Sequence, residues 1–384
     1  MSTLKSSLHF AILGCGASIV PTHLAALAAL RNAQLVGMSD IDGERGAKRA
    51  AEANCRFFAD HRTLLAELHP DVVVICTPHP FHTDLTLDAL AAGAHVLVEK
   101  PMAVEVAEAD QMIAAAEAAG RILAVNFQQR FLPAIEHARA LVDSGALGSL
   151  VRVSCVEPWF RTEAYYRSAS WRATWKGEGG GVLLNQAPHT IDLLCHLAGM
   201  PIKLWGWTRT LKHAIECEDS AQAMLEFANG APGYLHISTV EAGIQRRLQI
   251  VGDRAALELI GDALSVYRYD TPLSEFSLTS PEMFGAPQVH AEEIVFPNGN
   301  GGEGHVAVYR DLQRAILAGD RPRTDGREAR MSLELANAMI FSSHTGQAVS
   351  LPLDRAAYSA LLADLRAGQR ISSSAINPAE NRSH

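Results

Sequence analysis

Five short apolar runs recur through residues 8–125: LHFAIL (8–13), QLVGMS (34–39), DVVVIC (71–76), AHVLV (94–98) and RILAV (121–125). Helical periodicity fills the intervals, near 22–31, 43–53, 60–68, 81–92 and 103–119. A continuously apolar strand needs cover on both faces. Strands of that kind separated by helices specify a parallel sheet wrapped on both sides, a doubly wound α/β domain. Such sheets bind ligands beyond the carboxyl ends of their strands.

The whole chain has 384 residues, which implies two domains. The pattern changes after the fifth run. ECEDSAQAMLEFANGAPGYLHISTVE (216–241) reads as a hairpin around Asn229-Gly230, RRLQIVGDRAALELIG (246–261) continues a sheet, and helical patterns return at 304–318 and 326–343. The expected division is a dinucleotide domain over 1–127, a substrate-binding and oligomerisation α+β domain over 128–370, and a polar, flexible tail over 371–384.

Composition excludes several classes. A formal charge of −9 without a basic block argues against nucleic acid. No run approaches the length of a membrane helix. The opening MSTLKSSLHFAILGCGASIV could mimic a signal peptide, but the same residues begin the first strand and its glycine turn. The six cysteines, none in a C-x-x-C pair, suit reduced thiols in a cytoplasmic protein. No metal-ligand spacing is present, so no metal is expected.

The first strand ends in Gly14-Cys15-Gly16-Ala17-Ser18-Ile19, the first two glycines of a G-x-G-x-x-G pattern with Ile19 in the third place. Gly14 suits a tight turn and Gly16 a close approach to a pyrophosphate, which the next helix would receive at its N-terminus. Asp40, at the end of the second strand, can accept from an adenosine ribose and would repel a 2′-phosphate. NAD is therefore expected over NADP, although Arg45 lies close by.

Two further segments complete a pattern. The fourth strand ends in Cys76-Thr77-Pro78 followed by His82, and the fifth runs into Glu99-Lys100-Pro101. Later comes EGGGVLLNQAPHTIDLL (178–194), whose Asn185, His189 and Asp192 would share one helix face. With FQQRFLPAIEHARALVDSGALGSLVRV and GHVAVYRDLQRAILAGDRPRTDGREAR, these segments resemble the glucose–fructose oxidoreductase / inositol dehydrogenase / MocA family over about residues 8–352. The resemblance implies a Rossmann domain, a C-terminal domain built on a large, mostly antiparallel sheet, and a homo-oligomer, dimer or tetramer, paired through that sheet. It also implies oxidation or reduction of one carbon of a sugar, cyclitol or related polyol. The family's catalytic lysine maps onto Lys100, its acid onto Asn185 and its histidine onto His189. The acid is thus an amide here, and the glycine loop runs one residue longer than usual.

Hydride transfer from a secondary alcohol requires a base for the hydroxyl proton. His189 suits that role, Lys100 can stabilise a developing alkoxide, and Asn185 can orient a hydroxyl without adding charge. Pro188 is compatible with a helix that starts, or is kinked, near Asn185. The expected cofactor contacts are Gly14, Gly16, Ala17, Ser18, Ile19, Asp40, Thr77, Pro78, His82, Glu99 and Lys100. EPWFRTEAYYRSASWRATWK (157–176) interleaves aromatics with Arg161, Arg167, Arg172 and Lys176, which suits a sugar, a substrate anion or internal packing. Three functions follow: an NAD-dependent sugar, cyclitol or glycoside dehydrogenase; a glycosidase or lyase that uses bound NAD transiently; or a non-catalytic sensor on the same fold.

Overall fold

The computed structural model describes residues 7–296 and 303–368. The expected tail, 371–384, lies outside the described residues. The alternation read from the sequence appears as β1 (Leu8–Leu13), α1 (Val20–Ala28), β2 (Ala33–Ser39), α2 (Gly43–Glu52), β3 (Arg56–Phe58), α3 (His61–Leu68), β4 (Val72–Ile75), α4 (His82–Ala91), β5 (His95–Val98), α5 (Val106–Ala119) and β6 (Leu123–Val125). These strands form a parallel sheet in the order β3-β2-β1-β4-β5-β6. The chain winds outward from β1, then returns to β4 on the other side, so the connections leaving β1 and β4 diverge at their carboxyl ends. The strand β3 is absent from the sequence reading. It is a three-residue edge strand in which only Phe58 is buried, too short to show a period.

The chain continues through α6 (Pro133–Asp143), β7 (Leu150–Pro158), α7 (Glu163–Arg167), α8 (Val182–Asn185), α9 (Pro188–Ala198), β8 (Lys203–Arg209), β9 (Ser220–Glu226), β10 (Pro232–Ser238), β11 (Arg247–Gly252), β12 (Ala255–Ile260), β13 (Ala263–Tyr269), α10 (Leu273–Thr279) and β14 (Val289–Ile294). It ends with α11 (His305–Ala318), α12 (Gly326–Thr345), β15 (Val349–Ser350) and α13 (Arg355–Arg366). Nine strands form one sheet, β14-β13-β12-β11-β7-β10-β9-β8-β15. Its neighbours are antiparallel except β7 and β10. The expected hairpin is β9–β10, and Gly230 takes φ +82° in its turn, a value that costs glycine little.

Two faces are legible along β8. Leu204, Gly206 and Thr208 are buried, and a Cβ on Gly206 would lie 2.6 Å from the Met339 carbonyl oxygen of α12. The Gly206 and Thr208 N–H groups donate to the hydroxyls of Ser342 and Ser343, each at 2.9 Å. On the opposite face Trp205 and Trp207 are half exposed, and Trp205 pairs across to Met224, which pairs with Tyr234.

Contacts divide the chain into two compact units, and the division differs from the expected 1–127 and 128–370. The first unit runs to Pro133 and takes in a second segment ending at Leu333; the second begins at Ala134 and resumes at Glu334. The helix α11 joins the first unit because it buries Val308, Tyr309, Leu312 and Ala315 there, with Tyr309 stacked on Phe10 of β1 at 5.9 Å.

Candidate active site

The glycine loop leaves β1 at the point where β1 and β4 part. Gly14 has φ +80°, and a Cβ there would meet Thr77 Cγ2 at 2.7 Å. The loop is two tight turns, Ala17 N–H to Gly14 O at 3.1 Å and Val20 N–H to Ala17 O at 3.2 Å. It enters α1 at Ile19, where no side chain caps the helix. In that first turn the Val20 and Thr22 N–H groups are taken by Ala17 O and Ile19 O, and Pro21 has none to offer. Asp40 grips the loop: Oδ2 accepts from Gly16 N–H at 2.6 Å and Oδ1 from Asp42 N–H at 2.8 Å. Arg45 borders the same spot, since a Cβ on Gly16 would lie 2.6 Å from its Nε. The Arg45 guanidinium itself pairs with Asp42 at 3.2 Å.

At the end of β4, Thr77 Oγ1 is buried without a hydrogen-bond partner among the described residues. The expected cofactor contact His82 is fully buried, with Nδ1 2.9 Å from Pro101 O and Nε2 2.8 Å from Thr77 O. Burial pushes its pKa down. In this arrangement His82 braces the loop after Pro78 against the loop after Lys100.

Glu99 and Lys100 follow β5. The Glu99 carboxylate accepts from Asn126 Nδ2 at 2.5 Å and lies 3.0 Å from His23 Nε2. Tyr309 OH is 2.9 Å from His23 Nδ1. Burial opposes the charge on both partners, and their mutual contact opposes that burial. The His23 proton is held up to about 10, by Cys76 and Glu99 against that burial. Burial likewise disfavours the Glu99 carboxylate, but His23, Lys100 and Asn126 bring it down to about 2. His305 brings a third ligand-type atom, within 4.8 Å of those of His23 and Glu99, a cluster that no sequence spacing announces.

The second unit carries Asn185 and His189. The helix is interrupted near Asn185, one of the two outcomes that Pro188 allowed: Asn185 ends α8, Gln186 and Ala187 intervene, and Pro188 opens α9. Asn185 and His189 therefore do not share the face of one regular helix. The backbone stays joined through a wide turn, Ala187 N–H to Val182 O at 2.9 Å, and Pro188 needs no donor in the first turn of α9. His189 and Asp192 are buried, and the intervening Thr190 hydroxyl donates to Glu157 at 2.6 Å.

The glycines before α8 have a local cause. A Cβ on Gly181 would sit 1.9 Å from Glu218 O, and Gly179 has φ +77°. This packing lets the Glu218 side chain close the start of α8, with Oε1 accepting from Gly181 N–H at 2.9 Å and Leu183 N–H at 3.1 Å. Oε2 has no partner among the described residues, and burial pushes the carboxyl up to about 7. A second buried carboxylate, Glu178, accepts from Asn185 Nδ2 and from Ala173 N–H at 2.5 Å.

The aromatic segment divides as well. Tyr166 and Trp175 are buried. Tyr165 is half-buried and accepts from Arg172 Nη1 at 2.8 Å and from Gln186 Nε2 at 3.1 Å. The guanidiniums of Arg161 and Arg172 lie against its ring, 5.1 and 4.4 Å from the centroid. Sequence reading missed His23, Glu178, Gln186 and Glu218. Only Glu178 carried a signal, as the acid directly before the glycine run.

Two family profiles match. One, described as the oxidoreductase family with an NAD-binding Rossmann fold, covers residues 8–127; the other, the GFO/IDH/MocA C-terminal domain, covers residues 135–258. The chain belongs to the Gfo/Idh/MocA family of NAD-binding oxidoreductases.

Within the family, the chain is 34% identical over 219 residues to the 1-carboxy-3-chloro-3,4-dihydroxycyclohexa-1,5-diene dehydrogenase of Comamonas testosteroni, covering 55% of this chain and 54% of that one. It is 30% identical over 200 residues to the D-glucoside 3-dehydrogenase of Escherichia coli K12, covering 51% and 56%. The chain thus spans about half the length of these two relatives. A solved structure, the WlbA dehydrogenase of Bordetella pertussis in complex with NADH and UDP-GlcNAcA, superposes with a TM-score of 0.77 at 27% identity, covering 91% of this chain and 100% of that one.

Because the folded state keeps the Glu218 proton more tightly than the unfolded chain does, its contribution to stability should be complete below the ordinary value of 4.5 and lost as pH rises through about 7. Glu218→Gln keeps an oxygen for Gly181 and Leu183 and cannot ionise. Denaturant unfolding across that window should show the wild type losing stability relative to the variant as pH rises. Parallel curves would mean that Glu218 does not titrate there.

Proposed function

We propose that the protein is an NAD-dependent dehydrogenase that oxidises a ring hydroxyl of a sugar, cyclitol or glycoside. The observation that carries this reading is the braced Glu99-Lys100 pair after β5, where a partly buried carboxylate held by His23 and Asn126 precedes the lysine. Such bracing suits a cation that must meet a reacting oxygen in a fixed place. NAD supplies the hydride acceptor. The left-handed turn at Gly14 and the unpartnered Thr77 hydroxyl fit a dinucleotide, and the Asp40 carboxylate beside Gly16 is the acceptor for its ribose. Lys100 stabilises the alkoxide, His189 takes the hydroxyl proton, and Asn185 orients the substrate.

The half-buried face of Tyr165 with Arg161 and Arg172 suits a sugar. The row of exposed Trp205 and Met224 and partly exposed Tyr234 supports a homo-oligomer formed through the nine-stranded sheet. Unbridged cysteines, five of the six buried, support a cytoplasmic protein, and no helix among the described residues is long and apolar enough to cross a membrane.

The deciding experiment incubates the protein with NAD or NADP and a panel of sugars, cyclitols, glycosides and sugar nucleotides, with absorbance as the readout. Net NADH with one class supports a dehydrogenase. Retained NAD with glycoside cleavage and no net NADH would replace it with an internal redox cycle. Lys100→Ala should lower kcat by about 10²–10³-fold while NAD affinity holds; unchanged turnover would remove the lysine from the mechanism. Asp40→Ala should weaken NAD and narrow its advantage over NADP, and an unaltered NAD Kd would end the assignment of that carboxylate to the ribose. For the assembly, Trp205→Lys with Trp207→Lys should yield a smaller species in sedimentation, whereas an identical profile would rule out this face.

A further inference from the structure

An amide can present its oxygen or its nitrogen to a ligand, and its other neighbours decide which. For Asn185 the neighbour is Glu178. The Glu178 side chain is buried, while Asn185 is partly exposed. One Glu178 oxygen accepts the Ala173 N–H at 2.5 Å, and the other meets Asn185 Nδ2. Arg172 Nη1 stands 3.9 Å from that second oxygen, within ion-pair reach. An ionised carboxylate only accepts hydrogen bonds. Asn185 must therefore turn its NH₂ toward Glu178, and the opposite edge of the amide is Oδ1.

We propose that Glu178 is a positioning residue, whose carboxylate makes Asn185 present an oxygen to a substrate hydroxyl. The amide then accepts a hydrogen bond as an acid would at the same position, without bringing a second negative charge to the reacting carbon. The inference rests on the dehydrogenase reading. Glu178 and Asn185 are seven residues apart, and the tight loop through Ala173 and the glycines brings them together. Arg172 also donates to Tyr165, which accepts from Gln186, so the same network links the amide to the aromatic segment.

Glu178→Gln tests the polarity. Glutamine retains an oxygen for the Ala173 N–H but turns an NH₂ toward Asn185. The pair is satisfied only if the Asn185 amide rotates and presents its nitrogen outward. The variant should keep its Tm and NAD Kd and lose about tenfold in kcat/KM for the polyol, the scale of one hydrogen bond. Adding Asn185→Asp restores an outward oxygen and gives the introduced glutamine an acceptor for its NH₂, so the double variant should recover most of that loss. An active single variant, or a double variant no better than the single, would overturn the proposal.

A readout independent of turnover separates this inference from the dehydrogenase reading. The Asn185 side-chain NH₂ resonances, assigned by their absence in Asn185→Asp, should be shifted downfield and protected from exchange in the wild type and should lose both properties in Glu178→Gln. Rapidly exchanging NH₂ protons in the wild type would overturn the proposal, whatever the enzyme assays show. Failure of the wild type to form NADH with any polyol would instead overturn the dehydrogenase reading, leaving the amide orientation to the resonances.

Discussion

A carboxylate without water must find donors, and the candidate site of the second unit is organised by that requirement. Glu218 meets it with the first N–H groups of α8, which it reaches because Gly181 has no side chain to hold the two segments apart. Glu178 meets it with Ala173 and Asn185. The glycine run thus serves two buried acids, and through them it decides where α8 begins and how Asn185 is turned. With two acids buried close together, the rise of Glu218 to about 7 limits the charge that this small volume must hold.

The first unit solves the same problem with an ion pair. Glu99 is partly buried beside His23, and Tyr309 completes the arrangement from a position 286 residues further along the chain than His23. This joins α1, the end of β5 and α11, and gives a polar reason, beside the apolar one, for α11 to belong to the dinucleotide-binding unit. The backbone around Lys100 is held from both sides, by the Glu99 network and by His82, which spans Thr77 and Pro101. A lysine on a braced support loses less freedom when it meets a substrate than one on an open loop.

Much of this was legible in the residues. The strands β1, β2, β4, β5 and β6 are continuous apolar runs, and the loop from Gly14 announces itself because a left-handed turn and a close approach both select glycine. Asp40, Glu99, Lys100, Asn185 and His189 stand at or next to strand or helix ends. The three-residue β3 was not legible; Pro188 announced an interruption near Asn185, but the wide turn at Ala187 that separates α8 from α9 was not readable. The aromatic segment divided against expectation: Tyr166 and Trp175 face inward, while Tyr165 joins the candidate site.

The sequence by itself determined the doubly wound unit, its glycine turn and the candidate catalytic residue types, because those depend on periodicity and on local backbone demands that each residue carries with it. Only the tertiary structure decided that α11 returns to the first unit, that His23 pairs with Glu99, that Glu178 meets Asn185 and that Glu218 closes the start of α8. Those outcomes depend on burial, and burial joins residues whose separation along the chain has no period to read. An acid before a glycine run looks like a surface residue until the fold removes its water, and its partners are then whichever donors the packing has brought within reach.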